Sequence, residues 1–351
     1  MRATTVLLAA AVVAGAALRF LGLGDQSYWY DETVTVTVLD GSLGDVLDRL
    51  PDSESTPPLY YVLAWLWTQV AGLSEAGLRS FSAVAGLAAV PVVYLAAREL
   101  AGRGAGVVAA ALVAVNPMLV WYSQEARAYG LVTLLAALTL LATVRRRLVL
   151  WAVASTLLVL THYFGVFLVA AEAALLLLAH RDRPRPVLLA CAPWLVAGLA
   201  LIPLARAQEE DGRTSWIADE PLPDRLADVA RELGTANTSL ISSSSAPPGG
   251  VLWIPALLAL PAAGVAIALA RRRAAPAAGV ALAGAAAVLV PLALAVTPLD
   301  FFKDRNLIAA WPVLAVALAA ELALSARREL AAVVTAVVAA AGIGVTVAVA
   351  T

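Results

Sequence analysis

Charge is what this sequence has least of. Asp, Glu, Lys and Arg make up 14% of its 351 residues, against 62% hydrophobic. Soluble globular domains sit near roughly 25% charged and 45–50% apolar, so a water-soluble enzyme is excluded. The formal net charge of −1 offers no basic field to a nucleic acid. The single cysteine, Cys191, cannot close an internal disulfide, which excludes a disulfide scaffold. Histidine is nearly absent, with only His162 and His180, and Lys303 is the one lysine among 24 basic residues. There is no P-loop, no dinucleotide-binding glycine signature and no HExxH zinc motif. No internal repeat is visible, and this weighs against a carrier built from repeated halves.

Long apolar runs take the place of charge. A helix crosses a ~30 Å hydrocarbon core with about 20 apolar residues. Runs that meet or approach this fall at 4–22, 79–97, 105–121, 128–144, 148–161, 164–179, 187–204, 251–270, 277–297, 307–325 and 330–349. They predict an all-α polytopic membrane protein with about 11 transmembrane helices. Segment 59–73 is shorter, opens after Pro57 and Pro58, and carries Tyr60, Tyr61, Trp65 and Trp67. It reads as an interfacial or re-entrant helix. With that segment outside and the N-terminus inside, the inner loops hold Arg2, Arg98, Arg103, Arg145–Arg147, Arg181, Arg183, Arg185, Arg271–Arg273, Arg327 and Arg328. Only Glu99, Asp182 and Glu329 oppose them there. A span at 59–73 would turn both arginine triplets outward, against the positive-inside rule. No A-x-A cleavage site stands out in the N-terminal run, and Arg19 ends it, so it is kept as a span rather than a signal peptide. The expectation is a multi-pass protein of the plasma (inner) membrane, N-terminus cytoplasmic and C-terminus outside, with an acidic extracytoplasmic face.

The outer loops concentrate the chemistry-bearing residues. The first, 23–78, opens with Tyr28-Trp29-Tyr30-Asp31-Glu32, an acidic pair flanked by aromatics. Its bland alternative is an acidic loop with membrane-belt aromatics. Further on, Leu43, Val46, Leu47 and Leu50 share one helical face, with Ser42 as N-cap and Asp45 three residues later. This predicts an amphipathic juxtamembrane helix with a capping-box start. The short second loop carries Glu125 and Arg127, which could equally be a surface ion pair. The third holds His162, where a structural histidine is the commoner reading. The fourth, 205–250, places Leu226, Val229, Ala230 and Leu233 on one face before Gly234, a second surface helix. It ends in the Ser242–Ser245 run and Pro247-Pro248-Gly249-Gly250, read as a flexible gate or linker. The fifth brings Lys303 and Arg305 to the outer rim, as phosphate-binding cations or as snorkelling anchors. Glu172 and Glu321 are the acids inside spans, and Glu172 is a candidate lining residue.

Tyr30-Asp31-Glu32, Thr56-Pro57-Pro58-Leu59-Tyr60-Tyr61 and Leu78-Arg79-Ser80 together resemble the GT-C glycosyltransferases. The resemblance is narrower to the bacterial relatives of protein O-mannosyltransferases and aminoarabinose transferases. Ser123-Gln124-Glu125-Ala126-Arg127-Ala128-Tyr129, Thr161-His162-Tyr163 and Arg305-Asn306-Leu307 extend it over nearly the whole chain. It departs at Thr56, where family members often have histidine, and the expectation is that no soluble C-terminal domain, which many members carry, follows the last span. The resemblance implies a catalytic transmembrane module over 1–204, an outer loop with a surface helix over 205–250, and C-terminal transmembrane helices over 251–351. It implies an inverting transfer of a sugar, mannose or similar, from a polyprenyl-phosphate donor outside the membrane. The first-loop acid, Asp31, is implied as catalytic and Glu125 as a second acid.

Chemistry independent of the family supports these roles. A lipid phosphate is already a good leaving group, so the enzyme needs a base for the acceptor hydroxyl and cations for the phosphate. Asp31 is the expected base. Lys303 and Arg305 are expected to hold the phosphate, with Arg127 or Arg79 assisting. Glu32, Glu125 and His162 are expected to line the sugar site or to bind a divalent ion such as Mg or Mn. Tyr60, Tyr129 and Tyr163 complete the substrate-contacting set. The expected partners are the donor, membrane lipid and a glycan, lipid or protein acceptor. The competing readings are a lipid-linked sugar flippase or carrier, and an arabinose or amino-sugar transferase.

Overall fold

The computed structural model describes residues 2–210, 212, 214–235, 275–297 and 299–324. Among these residues there is no strand, and every helix except the 3-10 turn Asp304–Leu307 is an α-helix. In chain order these are α1 (Arg2–Phe20), α2 (Tyr30–Leu39), α3 (Leu43–Ser53), α4 (Leu59–Ala71), α5 (Glu75–Ala101), α6 (Arg103–Val115) and α7 (Pro117–Trp121). There follow α8 (Tyr129–Val144), α9 (Leu148–Thr161), α10 (Gly165–Ala179), α11 (Arg185–Ala200) and α12 (Ile202–Glu210). The last are α13 (Ser215–Asp219), α14 (Leu222–Thr235), α15 (Ala275–Leu294) and α16 (Ala310–Leu324).

The chain is an integral membrane protein. Among the described residues, four helical runs are long and apolar enough to cross a bilayer: Arg2–Phe20, Glu75–Ala101, Arg185–Glu210 and Pro276–Leu294. Shorter apolar helices cover the other expected segments, except 251–270 and 330–349. Those two, the Ser242–Ser245 run and the arginines at 271–273 and 327–328 lie outside the described residues. The expected span 105–121 is two helices. Pro117 has no N–H to continue α6, and the Asn116 side chain restarts the chain by accepting the Leu119 N–H at 3.0 Å.

The long helix α5 packs against α1, α4, α6, α8 and α16. It meets α8 at backbone distance, where a Cβ on Gly130 would lie 2.3 Å from the Ser82 carbonyl oxygen. Only glycine permits that approach. There Ser82 Oγ donates to the Arg127 carbonyl at 2.9 Å, which fixes the loop entering α8.

Arg19 does not simply end the first span. It is fully buried and donates to the carbonyls of Ala114 (2.7 Å), Val113 (3.1 Å) and Gly15 (3.2 Å) and to Ser123 Oγ (3.2 Å). The break at Pro117 leaves the last carbonyls of α6 without helical donors, and the guanidinium supplies them. Glu172 is buried between α8, α9 and α10, accepting from Trp151 Nε1 at 2.9 Å and Thr139 Oγ1 at 3.3 Å.

The amphipathic helix read at 43–50 is α3. Ser42 Oγ accepts the Asp45 N–H at 3.3 Å, and Asp45 Oδ2 accepts the Ser42 N–H at 2.7 Å. Its apolar face buries Val46 and Leu50. The fourth-loop surface helix is α14. Segment 59–73 is the 13-residue α4, about 20 Å long at 1.5 Å per residue and so too short to cross a bilayer upright.

Candidate active site

The acidic pair after α1 sits in the first turn of α2, where a helix N-terminus favours carboxylates. Successive residues on a helix point about 100° apart, so Asp31 and Glu32 face different surroundings. Glu32 turns inward and is fully buried. Arg79 on α5 grips it through Nε–Oε1 at 2.8 Å and Nη2–Oε2 at 2.6 Å. The Ala126 N–H (2.8 Å) and Trp29 N–H (3.3 Å) also donate to it. Arg79 spends its other donors on the carbonyls of Leu23, Gln26 and Ser27. Glu32 and Arg79 thus fasten the first loop to α5 and to the second loop, away from open space.

Asp31 turns the other way, into a cavity of about 880 Å³. Its Oδ2 accepts from Arg305 Nη1 at 3.2 Å, and each side chain remains about a quarter exposed, at 26% and 25%. The cavity is assembled from every described loop at this end of the bundle. The first loop contributes Trp29, Tyr30, Asp31, Glu54 and Thr56, and the second Arg127 and Tyr129. His162, Tyr163, Phe164, Gln208, Trp216, Phe301 and Arg305 come from later in the chain. One wall is apolar, with Phe164, Val166, Phe167, Pro291 and Leu294.

Of the residues expected to touch substrate, Asp31, Arg127, Tyr129, His162, Tyr163 and Arg305 line this cavity. Glu32, Tyr60, Arg79, Glu125 and Lys303 do not. Tyr60 is buried behind it, its hydroxyl 3.4 Å from Ser82 Oγ and its ring edge-on to Tyr61. Lys303 pairs with Glu220 at 2.9 Å and Asp228 at 3.2 Å. Burial works against its charge, but these two carboxylates hold its pKa above the usual lysine value.

Arg127 is already neutralised. Its Nη1 lies 2.8 and 2.9 Å from the two carboxylate oxygens of Glu54 and 3.0 Å from Thr35 Oγ1. Burial disfavours the guanidinium, yet Glu54 holds its pKa well above the ordinary value. Glu54, 3% exposed, is a partner that the acidic string 52–54 does not reveal as special. Gln208 is another: it accepts from the Tyr163 hydroxyl at 2.8 Å and donates to the carbonyls of Thr56 (3.1 Å) and Leu50 (3.3 Å). It ties α12 to the end of α3 in a way no local motif announces.

Glu125 is buried beneath the cavity floor. Trp121 Nε1 donates to its Oε1 at 2.7 Å, and Oε2 has no partner. Burial, and then the charge of Glu32, push its pKa up to about 8. His162 is buried beside Tyr129 and Phe164. Burial, and then Arg305 and Arg127, push it down to about 4, so it is neutral near pH 7. Among the described residues no three His, Cys, Asp or Glu side chains gather as a metal site would require. Glu32, Glu125 and His162 are each engaged or sealed separately and do not form a donor set for a divalent ion.

Residues 55–206 match the family described as dolichyl-phosphate-mannose-protein mannosyltransferase. No curated protein matches the chain. Among solved structures, apo ArnT from Cupriavidus metallidurans is similar over 93% of this chain and 60% of its own, with TM-score 0.58 and 16% identity. ArnT bound to undecaprenyl phosphate is similar over 96% and 63%, with TM-score 0.57 and 18% identity. The Archaeoglobus fulgidus oligosaccharyltransferase tethered to an acceptor peptide is similar over 99% and 54%, with TM-score 0.56 and 13% identity. The chain spans less than two thirds of the length of each of these structures. With a backbone shared over nearly all of its length and a sequence match over residues 55–206, the chain has the fold of the GT-C membrane glycosyltransferases.

Proposed function

We propose that the chain is an inverting glycosyltransferase that moves a sugar from a polyprenyl-phosphate donor to an acceptor hydroxyl at the extracytoplasmic face of the plasma membrane. The observation that carries this reading is the Asp31–Arg305 pair, half-open to a cavity with an apolar wall. The donor has matching parts: a prenyl chain for the wall of Phe164, Val166, Phe167, Pro291 and Leu294, and a phosphate for Arg305. ArnT bound to undecaprenyl phosphate supports a lipid phosphate as the donor's carrier.

In this reading Asp31 accepts the proton of the acceptor hydroxyl as its oxygen attacks the anomeric carbon. The bond from that carbon to the phosphate oxygen breaks, and the electron pair leaves with the lipid phosphate. Arg305 stabilises the departing charge. A single displacement inverts the anomeric centre. No step is assigned to a metal, because the candidate ligands do not converge. Mannose or a related sugar is the expected cargo, and a glycan, lipid or protein hydroxyl the expected acceptor. The carrier reading finds less support: Glu172 is sealed by Trp151 and Thr139 rather than lining a path.

The test is to incubate purified protein with a panel of polyprenyl-phosphate sugars and follow release of polyprenyl phosphate. Release with at least one donor, abolished by Asp31→Asn at unchanged expression, supports the reading. Undiminished release from that variant removes Asp31 as the base.

A further inference from the structure

One aromatic residue of the cavity wall has no part in the chemistry above. Trp216 lies on the short α13, 43% exposed and facing the cavity. Its ring centroid is 5.4 Å from Arg305 Cζ and 5.8 Å from Lys303 Nζ. The neighbouring Ile217 is 2% exposed and seats the helix. The following helix is bolted to the fifth loop: Arg225 meets both oxygens of Asp300 at 2.6 and 2.7 Å, and Lys303 bridges Glu220 and Asp228. The ring and Arg305 therefore belong to one braced unit.

The way Arg305 is held differs from the other arginines of this face. Arg79, Arg127 and Arg225 each reach both oxygens of a carboxylate with short hydrogen bonds. Arg305 meets its carboxylate through one 3.2 Å contact, longer than the 2.7–2.9 Å usual for such pairs. An aromatic face can fix the position of a guanidinium while leaving its N–H edge free. A phosphate-binding arginine needs both properties: a set place and unspent donors.

We propose that Trp216 is a positioning residue for Arg305, seating the guanidinium at the cavity wall with its donors directed to an incoming lipid phosphate. This rests on the reading of Arg305 as the phosphate-binding residue. It adds the fourth-loop helix α13 to the elements that set donor affinity.

The experiment titrates undecaprenyl phosphate into the purified full chain in nanodiscs, comparing wild type with Trp216→Ala, Trp216→Leu, Trp216→Phe, Arg305→Ala and Trp216→Ala/Arg305→Ala. Trp216→Ala and Trp216→Leu are expected to weaken binding about two- to fivefold, the size of a partly exposed cation–π contact. Trp216→Phe is expected to restore most of it, because phenylalanine keeps the π face that leucine lacks. In the Arg305→Ala background the Trp216→Ala loss is expected to vanish. Leucine that binds like wild type, or a loss that persists without Arg305, overturns the proposal. If Arg305→Ala weakens binding and Trp216→Ala does not, only the positioning role fails. If Arg305→Ala binds like wild type, the phosphate site itself is misassigned and the proposal falls with it.

Discussion

Arg79 and Glu32, 47 residues apart in sequence, form a two-pronged ion pair at 2.6 and 2.8 Å that is almost closed to solvent. Glu32 also accepts the Ala126 N–H, so one carboxylate joins the first loop, α5 and the second loop. Removing either partner leaves a buried charge uncompensated, at a cost of about 3–5 kcal/mol. Glu32→Gln and Arg79→Ala are therefore expected to lower the thermal unfolding midpoint in detergent strongly. Midpoints within error of wild type for both would mean that the pair does not brace the loops.

Asp31 is expected to behave in the opposite manner. Its side chain faces the cavity and shares one long contact with Arg305, so Asp31→Asn disturbs little packing. The unfolding midpoint should stay near wild type while transfer falls by about 10²–10⁴-fold, the range for loss of a general base. Adjacent acids would then separate cleanly, Glu32 by stability and Asp31 by turnover. Equal stability losses for both would show that Asp31 is structural as well.

The division between these two acids was only partly legible in the chain. Among the described residues apolar length located the apolar helices, though not the break at Pro117, and Ser42 with Asp45 announced α3, because those signals are local. The division of Asp31-Glu32 into one cavity-facing and one buried carboxylate was not, since it depends on Arg79 approaching from α5. Glu54 looked like one more acid in a loop; Arg127, 73 residues away, makes it a buried counterion. Arg19 looked like the anchor at a span's end, whereas the broken end of α6 draws it into the bundle. Trp216 carried no motif at all. In each case the deciding neighbour comes from a distant segment, which periodicity and capping rules do not reach.

Lys303 illustrates the same limit and yields a test. As the only lysine, beside Arg305, it reads as half of a phosphate site. In the fold its ammonium is committed to Glu220 and Asp228 at a partly exposed position. Lys303→Met is expected to lower stability modestly through loss of the Glu220 and Asp228 pairs, and to weaken undecaprenyl phosphate affinity only indirectly, by loosening the brace around Arg305. Arg305→Ala is expected to weaken that affinity more and to flatten its salt dependence. Equal losses from the two substitutions would put Lys303 back on the phosphate.

Glu125 gives a pH prediction whose sign is set by burial. Its folded pKa is raised to about 8, mainly by desolvation and then by Glu32, while in the unfolded chain it titrates as an ordinary carboxyl near 4.3. Below that lower value both states are protonated, and the raised pKa costs nothing. As pH rises from there toward about 8, the unfolded chain ionises while the folded one keeps its proton, so stability is progressively lost. Glu125→Gln presents an amide in place of the neutral acid and does not titrate. Its unfolding midpoint is therefore expected to approach that of wild type near pH 5 and to exceed it by a widening margin toward pH 8. Midpoints that run parallel across this range would show that Glu125 is ionised in the folded protein, with its Oε2 charge balanced by a partner other than Trp121.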